Sequence, residues 1–195
     1  MRVLLCPGMH DPGLTTSFVT QLQAASESQF WVNKTHTQQL LIFPSQAAPA
    51  YSAVHVLEFL KTHSHLQTPL GLICFSAGVV GGIGAAWGWQ QLGGTITTLI
   101  ALDGWGVPLY GSFPIHRLSH DHFTHWSSGL LGGGTDSFYA APAVEHLALW
   151  RSPQSILGWR VQQDQQECTT AAIFINQLLE RYDRPVSVRS AESHG

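Results

Sequence analysis

The sequence predicts an α/β protein, a three-layer α/β/α sandwich around a mainly parallel sheet of about six strands. Two observations support this prediction. Short apolar runs alternate along the chain with segments of helical periodicity, which is the pattern of repeated strand–helix units. In addition, residues 62–102 contain no Asp, Glu, Lys or Arg. An uncharged stretch of this length is expected where strands are covered by helices on both faces.

Three strand–helix units and a fourth strand account for the first half of the chain. Each predicted strand is a short apolar run, and each predicted helix begins after a loop or turn. The predicted strands are 2–6, 39–43, 70–75 and 96–102, and the predicted helices are 15–26, 53–62 and 77–92.

The second half is richer in Gly, Pro and aromatic residues, and its elements are shorter. Residues 104–114 are predicted to form a surface loop, and residues 127–134 a glycine-rich connection. The predicted strands are 115–120 and 137–140; the predicted helical segments are 147–150, 156–161 and 168–182. No linker divides the chain, so residues 1–195 are expected to form one domain, with 183–195 as a loose tail.

Composition excludes several classes of function. The 9 basic residues are scattered and 12 acidic residues outnumber them, for a net charge of -3. A nucleic-acid partner is therefore not expected. The 44% of hydrophobic residues exclude a disordered chain. Cys6, Cys74 and Cys168 are too few and too far apart for a disulfide framework, so we expect buried, reduced thiols in a cytoplasmic protein.

One apolar segment, residues 70–89, is long enough to span a bilayer. It contains six glycines and a central serine, and no basic cluster flanks it. A strand followed by a closely packed helix is therefore the preferred interpretation, with no transmembrane segment. Residues 1–7 carry an apolar stretch too short for a secretory signal and are predicted to contain the first strand.

The strongest motif lies where a predicted strand meets a glycine-rich helix, at Cys74-Phe75-Ser76-Ala77-Gly78. It resembles the nucleophile elbow of the α/β-hydrolase family, small-x-Ser-x-Gly, in which small residues allow a sharp turn at the serine. Cys74 occupies the position where glycine is commonest. The alternative is that Ser76 only caps the helix.

The resemblance extends from Arg2 to about Trp159 in element order. It is closest to compact, cap-less serine hydrolases of the retinoblastoma-binding-protein-9 type, which lack the first strands of the α/β-hydrolase fold. This resemblance implies hydrolysis of an ester, thioester or related acyl bond through a seryl intermediate. It also implies an acid and then a histidine later in the chain.

His146 follows the last predicted strand of the parallel sheet and is the expected base. Two aspartates could orient it. Asp121 ends the fifth predicted strand, where most family members carry the acid, and is preferred. Asp103 ends the fourth, a position that some lipase-like members use, and is the alternative acid.

The remaining site residues are inferred from their positions near the motif. The backbone N–H groups of Ala77 and Met9 are the expected oxyanion donors. Phe75 and Trp105 lie near strand ends, where a substrate pocket is expected, and their aromatic side chains favour a small-molecule substrate with an apolar acyl group.

Cofactors and metals receive little support from the sequence. His116, His120 and His122 would share one face of a strand while Asp121 faces away, so no metal site is expected from them. The loop at residues 8–13 lacks both GxGxxG and GK[ST], so no nucleotide cofactor is expected. A second hypothesis is a catalytically silent α/β-hydrolase-fold binding or scaffold protein, or a flavodoxin-like ligand binder.

Overall fold

A computed structural model describes residues 1–26, 30, 31, 33, 39–134, 136–163 and 165–184. These residues form one open mixed sheet of eight strands in the spatial order β2-β1-β3-β4-β5-β6-β7-β8. The strands are β1 (Arg2–Cys6), β2 (Leu40–Ile42), β3 (Leu70–Phe75), β4 (Ile96–Leu102), β5 (Ile115–Ser119), β6 (Asp136–Ala140), β7 (Leu157–Gln162) and β8 (Gln165–Thr170). β1 to β6 pair in parallel, and β7 and β8 are antiparallel.

Six helices occur among the described residues: α1 (Pro12–Ala24), α2 (Ala53–His63), α3 (Ala77–Gln91), α4 (His122–Gly129), α5 (Ala148–Arg151) and α6 (Ala171–Asp183). Side chains of α1 and α6 pack against Phe75 and Leu118 in one hydrophobic core. Side chains of α2 and α3 pack against Cys74 and Ala101 in a second core. Helices therefore cover both faces of the sheet, as the alternating pattern predicts.

The central strands have the predicted bounds. β1, β3 and β4 begin and end at the predicted residues, and all six residues of β3 are buried. The uncharged residues 62–102 include β3, α3 and β4, at the centre of the fold. Among the described helices none combines the length and hydrophobicity needed to cross a membrane.

The predicted number of strands was too low, because a hairpin extends the sheet beyond β6. The segments 156–161 and 168–182 were predicted to be helical, but β7 and β8 occupy the first and the start of the second. β8 is mostly exposed, so its residues lack the apolar pattern of a buried strand. Backbone pairing of β7 with β6 and β8, rather than hydrophobic periodicity, determines this part of the fold.

Three smaller expectations also change. Residues 122–129 form α4, whereas no helix was predicted there. Cys168 lies in β8 and is exposed, unlike the buried Cys6 and Cys74. Asp183, the first residue of the predicted tail, is the last residue of α6; residues 185–195, the rest of that prediction, lie outside the described part of the chain.

Candidate active site

The candidate site lies at the carboxyl edge of the parallel strands. β3 ends at Phe75, β4 at Leu102 and β6 at Ala140, and the segments that follow these strands carry Ser76, Asp103 and His146. β1 and β3 are neighbours in the sheet, but the chain leaves them in opposite directions. After β1 it continues to β2, on the side away from β3, and after β3 it continues to β4, on the side away from β1. In open α/β sheets, ligands bind in the crevice at such a reversal.

Ser76 has a backbone conformation that a non-glycine residue rarely adopts. Its φ is 52° and its ψ is -121°, in the positive-φ region where a Cβ atom is strained. The Ser76 N–H donates to the Leu102 carbonyl at 2.9 Å, which joins the turn to β4. The Ser76 side chain makes no capping hydrogen bond to α3. The helix-cap alternative therefore does not explain why a serine occupies this turn.

Small residues around Ser76 allow the turn to pack against the loop after β1. A Cβ atom added to Gly78 would lie 2.1 Å from the Cys6 carbonyl oxygen, and one added to Gly82 would lie 2.3 Å from Cys74 Sγ. A Cβ atom at Gly8 would lie 3.1 Å from Ser76 Cβ. The elbow and the loop that carries Gly8 are therefore in close contact, and a side chain at Gly8 or Gly78 would force them apart, whereas one at Gly82 would push α3 away from Cys74.

His146 pairs with Asp103. His146 Nδ1 lies 2.8 Å from Asp103 Oδ2, and the Asp103 residue is only 6% exposed. Asp103 also has a positive φ, 50°, and its N–H donates to the Leu118 carbonyl at 2.8 Å. A buried carboxylate in this position can hold the imidazole as the Nδ1–H tautomer, which leaves Nε2 free to accept a proton.

Asp121, the acid that the sequence favours, is not the carboxylate that pairs with His146. Asp121 is the N-cap of α4, and its carboxylate accepts a hydrogen bond from the Thr124 N–H at 2.6 Å. Partial burial acts to raise its pKa, but the donors of Thr124 and the nearby His120 hold that pKa below its ordinary value. The structure thus pairs His146 with the alternative acid, because α4 begins directly after Asp121 and uses its side chain.

The His146 ring lies against the elbow. It stacks on the Phe75 ring with the two centroids 4.8 Å apart and the planes inclined by 21°. Phe75 in turn stacks on the buried Trp150. Among the described residues no hydrogen bond joins the Ser76 hydroxyl to His146. The histidine is therefore held by stacking on Phe75, the residue before Ser76, and by its bond to Asp103.

The two expected oxyanion donors lie on the segments that meet at Ser76. The first hydrogen bond of α3 runs from the Val79 N–H to the Ser76 carbonyl at 3.0 Å, so the Ala77 N–H precedes the bonded turns of the helix. Met9 follows Gly8, where an added Cβ atom would lie 3.1 Å from Ser76 Cβ, and the Met9 residue is 74% exposed. Both N–H groups are thus on segments next to Ser76, at the carboxyl edge of the parallel strands.

The two expected pocket residues have different environments. Phe75 is fully buried in the core and reaches the site only through its contact with His146. Trp105 is 66% exposed, and its indole N–H donates to Ser127 Oγ at 3.2 Å, which ties the loop after β4 to α4. Trp105 is therefore available to a ligand, and Phe75 acts as a support for the histidine ring.

His120 belongs to the site, although the sequence did not single it out as a partner of Asp103. Its backbone N–H donates to Asp103 Oδ1 at 2.9 Å, and its Nδ1 lies 3.0 Å from Asp103 Oδ2. Its Nε2 lies 3.4 Å from Asp121 Oδ2. The only available signal was its place at the end of β5, beside β4, because strand ends of a parallel sheet meet at one edge.

The histidines that were considered together as a strand face are separated in the structure. His116 lies in β5 with its ring nitrogens 2.9 Å from the Asp136 carbonyl oxygen and 3.0 Å from the Tyr182 hydroxyl. His122 begins α4. Only His120 of this group joins Asp103 and His146, and one ligand atom from each of these three residues lies within 4.8 Å of the other two.

Comparison with known protein families finds no family that matches this chain, and comparison with curated proteins finds no matching sequence.

Proposed function

We propose that the protein is a serine hydrolase that cleaves an ester, thioester or related acyl bond, with Ser76 as nucleophile, His146 as general base and Asp103 as the acid. The observation that carries this proposal is that a strained Ser76 directly follows Phe75, on whose ring the histidine of the His146–Asp103 pair stacks. Strain of this kind is retained where the surrounding structure imposes it, and it is concentrated at functional sites. The order serine, acid, histidine and the positions of all three after parallel strands agree with the α/β-hydrolase family.

Each residue has a defined part in the proposed reaction. The Ser76 oxygen attacks the acyl carbon while His146 Nε2 accepts the hydroxyl proton, and Asp103 stabilises the resulting imidazolium through Nδ1–H. The N–H groups of Ala77 and Met9 donate to the oxyanion that forms on the former carbonyl oxygen. The tetrahedral intermediate then expels the alcohol or thiol, which takes the proton from His146.

The second half of the cycle regenerates the serine. Water attacks the acyl group on Ser76 as His146 takes a water proton. Collapse of the second intermediate breaks the bond from the acyl carbon to the Ser76 oxygen, which takes the proton from His146, and releases the carboxylic acid. For either step the Ser76 hydroxyl and His146 must come within hydrogen-bond distance, and such bonds commonly tighten only when substrate is bound. The exposed Trp105, two residues after Asp103, favours an apolar acyl or aromatic group in the substrate.

Steady-state hydrolysis of short p-nitrophenyl esters tests the proposal. The wild type is expected to turn over acetate and butyrate esters, and Ser76→Ala is expected to lower kcat/KM by at least about 10³-fold. Ser155→Ala, at an exposed serine in a turn, is the matched control and should retain wild-type activity. Equal hydrolysis by wild type and Ser76→Ala would contradict the proposal and favour a binding protein.

A further inference from the structure

The cluster formed by Asp103, His120 and His146 has the chemistry of a metal site as well as that of a catalytic pair. Two imidazole nitrogens and one carboxylate oxygen converge, with the Nδ1 atoms of His146 and His120 lying 2.8 Å and 3.0 Å from Asp103 Oδ2. Two histidines and one carboxylate are a common set of three protein ligands for a zinc ion, whose fourth position is left to water or substrate.

Distances within the cluster are close to those that a metal requires. Zinc bonds of about 2.0–2.1 Å in tetrahedral geometry place neighbouring ligand atoms roughly 3.3 Å apart. The three ligand atoms already lie within 4.8 Å of one another, so small side-chain rotations suffice. The His146 and His120 side chains are 43% and 26% exposed, which gives an ion a path from solvent.

A second carboxylate stands where metal sites commonly have one. Histidines that bind a metal through one ring nitrogen usually donate the other N–H to a carboxylate, which fixes the tautomer. His120 Nε2 lies 3.4 Å from Asp121 Oδ2, and Asp121 is itself held by its bond to the Thr124 N–H. A divalent ion with two neutral histidines, Asp103 and Asp121 would have no net charge, so the full set balances electrostatically.

We propose that Asp103, His120 and His146 bind a divalent transition metal ion of the zinc type, and that the bound ion switches the hydrolase off. The binding site stands on the geometry of the three residues, and the inhibition rests on the proposed function.

Inhibition follows from the tautomers of His146. As a general base His146 carries its proton on Nδ1, bonded to Asp103, and accepts the serine proton at Nε2. A metal ion takes the Nδ1 lone pair, so the ring proton resides on Nε2, which then has no lone pair for the Ser76 proton. The ion also occupies the carboxylate oxygen that orients the ring. Metal binding and proton transfer from serine are therefore mutually exclusive.

The experiment measures metal binding separately from activity. Protein freed of metal with a chelator is titrated with ZnCl₂ against a chromophoric zinc indicator, and with CoCl₂ while the visible absorption of bound Co²⁺ is recorded. We expect one tight site per chain in the wild type and in Ser76→Ala, because the serine is not a ligand. His120→Gln should weaken this site by at least tenfold, and Asp121→Asn by about 10–100-fold.

Matched controls address the other histidines, which number 11 in the chain. His122→Gln alters a neighbouring histidine that contacts the Tyr139 and His125 rings and not Asp103, so it should bind zinc as the wild type does. Asp121→Asn preserves the α4 cap, since Asn caps as well as Asp, and so tests the outer carboxylate in a folded protein. Identical affinities in wild type, His120→Gln and Asp121→Asn would overturn the inference.

Ester hydrolysis then tests the inhibition. We expect zinc to abolish hydrolysis by the metal-free wild type at the concentration that fills the site, and a chelator to restore it. Hydrolysis that persists with the site filled would overturn the inference while leaving the proposed hydrolase intact. A metal-free wild type with no hydrolytic activity would instead contradict the proposed function, and the Co²⁺ absorption would still report on the site.

Discussion

Asp103, which directly follows β4, is held in place by hydrogen bonds of both its backbone N–H and its carboxylate. Its N–H donates to Leu118, and its two carboxylate oxygens are bonded by the backbone N–H of His120 and by the His120 and His146 rings. A further hydrogen bond holds the loop that carries His146, because the Val144 N–H donates to the His120 carbonyl at 3.0 Å. His120 is thus bonded both to Asp103 and to the segment that leads to His146.

Substitution of the two aspartates by asparagine distinguishes their roles. Asp103→Asn keeps the size of the side chain but no longer stabilises the imidazolium or selects its tautomer, so kcat/KM for p-nitrophenyl esters should fall by about 10⁴-fold. Asp121→Asn preserves the α4 cap and should cost less than tenfold in the same assay. A larger loss of kcat/KM in Asp121→Asn than in Asp103→Asn would identify Asp121, the residue that the sequence favours, as the acid.

The residues of the candidate site could be predicted unequally well. Ser76, Ala77 and His146 were singled out because a local motif and the end of a strand are visible in the sequence, and their roles stay predictions. The choice between Asp103 and Asp121 was not accessible in this way, since both follow strands. It depends on a capping bond to Thr124 and on a long-range contact with His146, and neither has a local sequence pattern.

At the scale of elements, α3 is held close to its neighbours by glycines. A Cβ atom added to Gly81 would lie 2.1 Å from the Ala50 carbonyl oxygen, whereas one added to Gly88 would lie 2.7 Å from Cδ2 of Leu57. The first contact is with backbone, which cannot move alone, and the second is with the end of a flexible side chain. The two glycines of one helix therefore differ in their tolerance of a methyl group.

Alanine should lower stability at Gly81 but be tolerated at Gly88. Gly81→Ala is expected to lower the free energy of unfolding by about 2 kcal/mol or more, because α3 must move away from Ala50. Gly88→Ala is expected to be neutral or to stabilise by up to about 1 kcal/mol, the intrinsic preference of a helix for alanine. Urea unfolding followed by circular dichroism measures both. A stabilised Gly81→Ala would show that the close approach is not required.

The elements that the sequence predicts well are those enclosed by others. β3 is a continuous apolar run and β4 is apolar except at Thr97 and Thr98, and every residue of the two strands but Thr97 is buried, so burial and hydrophobicity largely coincide. β8 and α4 were missed for the same reason, because neither buries an apolar face. β8 is polar and stabilised by pairing with β7, and α4 has only two buried residues, Thr124 and Ser128, so its helical period carries no hydrophobic signal.

At the scale of the whole molecule, the scarcity of charge makes the buried polar groups important for the dependence of stability on pH. His125 lies on α4 and its ring packs against β6, with Nε2 2.9 Å from Ser137 Oγ and the ring centroid 5.0 Å from that of Tyr139. Burial, together with the positive charge of Arg117 and the neighbouring His122, lowers the pKa of His125 to about 4.

This lowered pKa predicts a loss of stability in mild acid. Between about pH 6.5 and pH 4 the unfolded chain binds a proton at His125 and the folded chain does not, so the free energy of unfolding falls as the pH falls. After allowance for solvent screening, His125 should account for about 2 kcal/mol of this fall. His125→Gln should reduce the slope, whereas His55→Gln, at an exposed histidine on α2, should not. Equal slopes for wild type and His125→Gln in urea unfolding at pH 4.5 and 7 would contradict the prediction.

The architecture as a whole brings the proposed chemistry together from distant parts of the sequence. The parallel order of β1 to β6 places the segments after β1, β3, β4 and β6 at one edge. Nucleophile, acid and histidine thereby come from three strands, and the loop after β1 completes the wall beside the serine. A strained serine in such a crevice should react with an electrophile that mimics an acyl substrate.

Labelling with a fluorophosphonate, followed by peptide mass spectrometry, tests the central claim most directly. The metal-free wild type is predicted to take up one phosphonyl group per chain, on the peptide that contains Ser76, and Ser76→Ala is predicted to take up none. The Asp103→Asn variant should be labelled more slowly than the wild type. An adduct on a different residue, or labelling of Ser76→Ala at the wild-type rate, would contradict the assignment of Ser76 as the nucleophile.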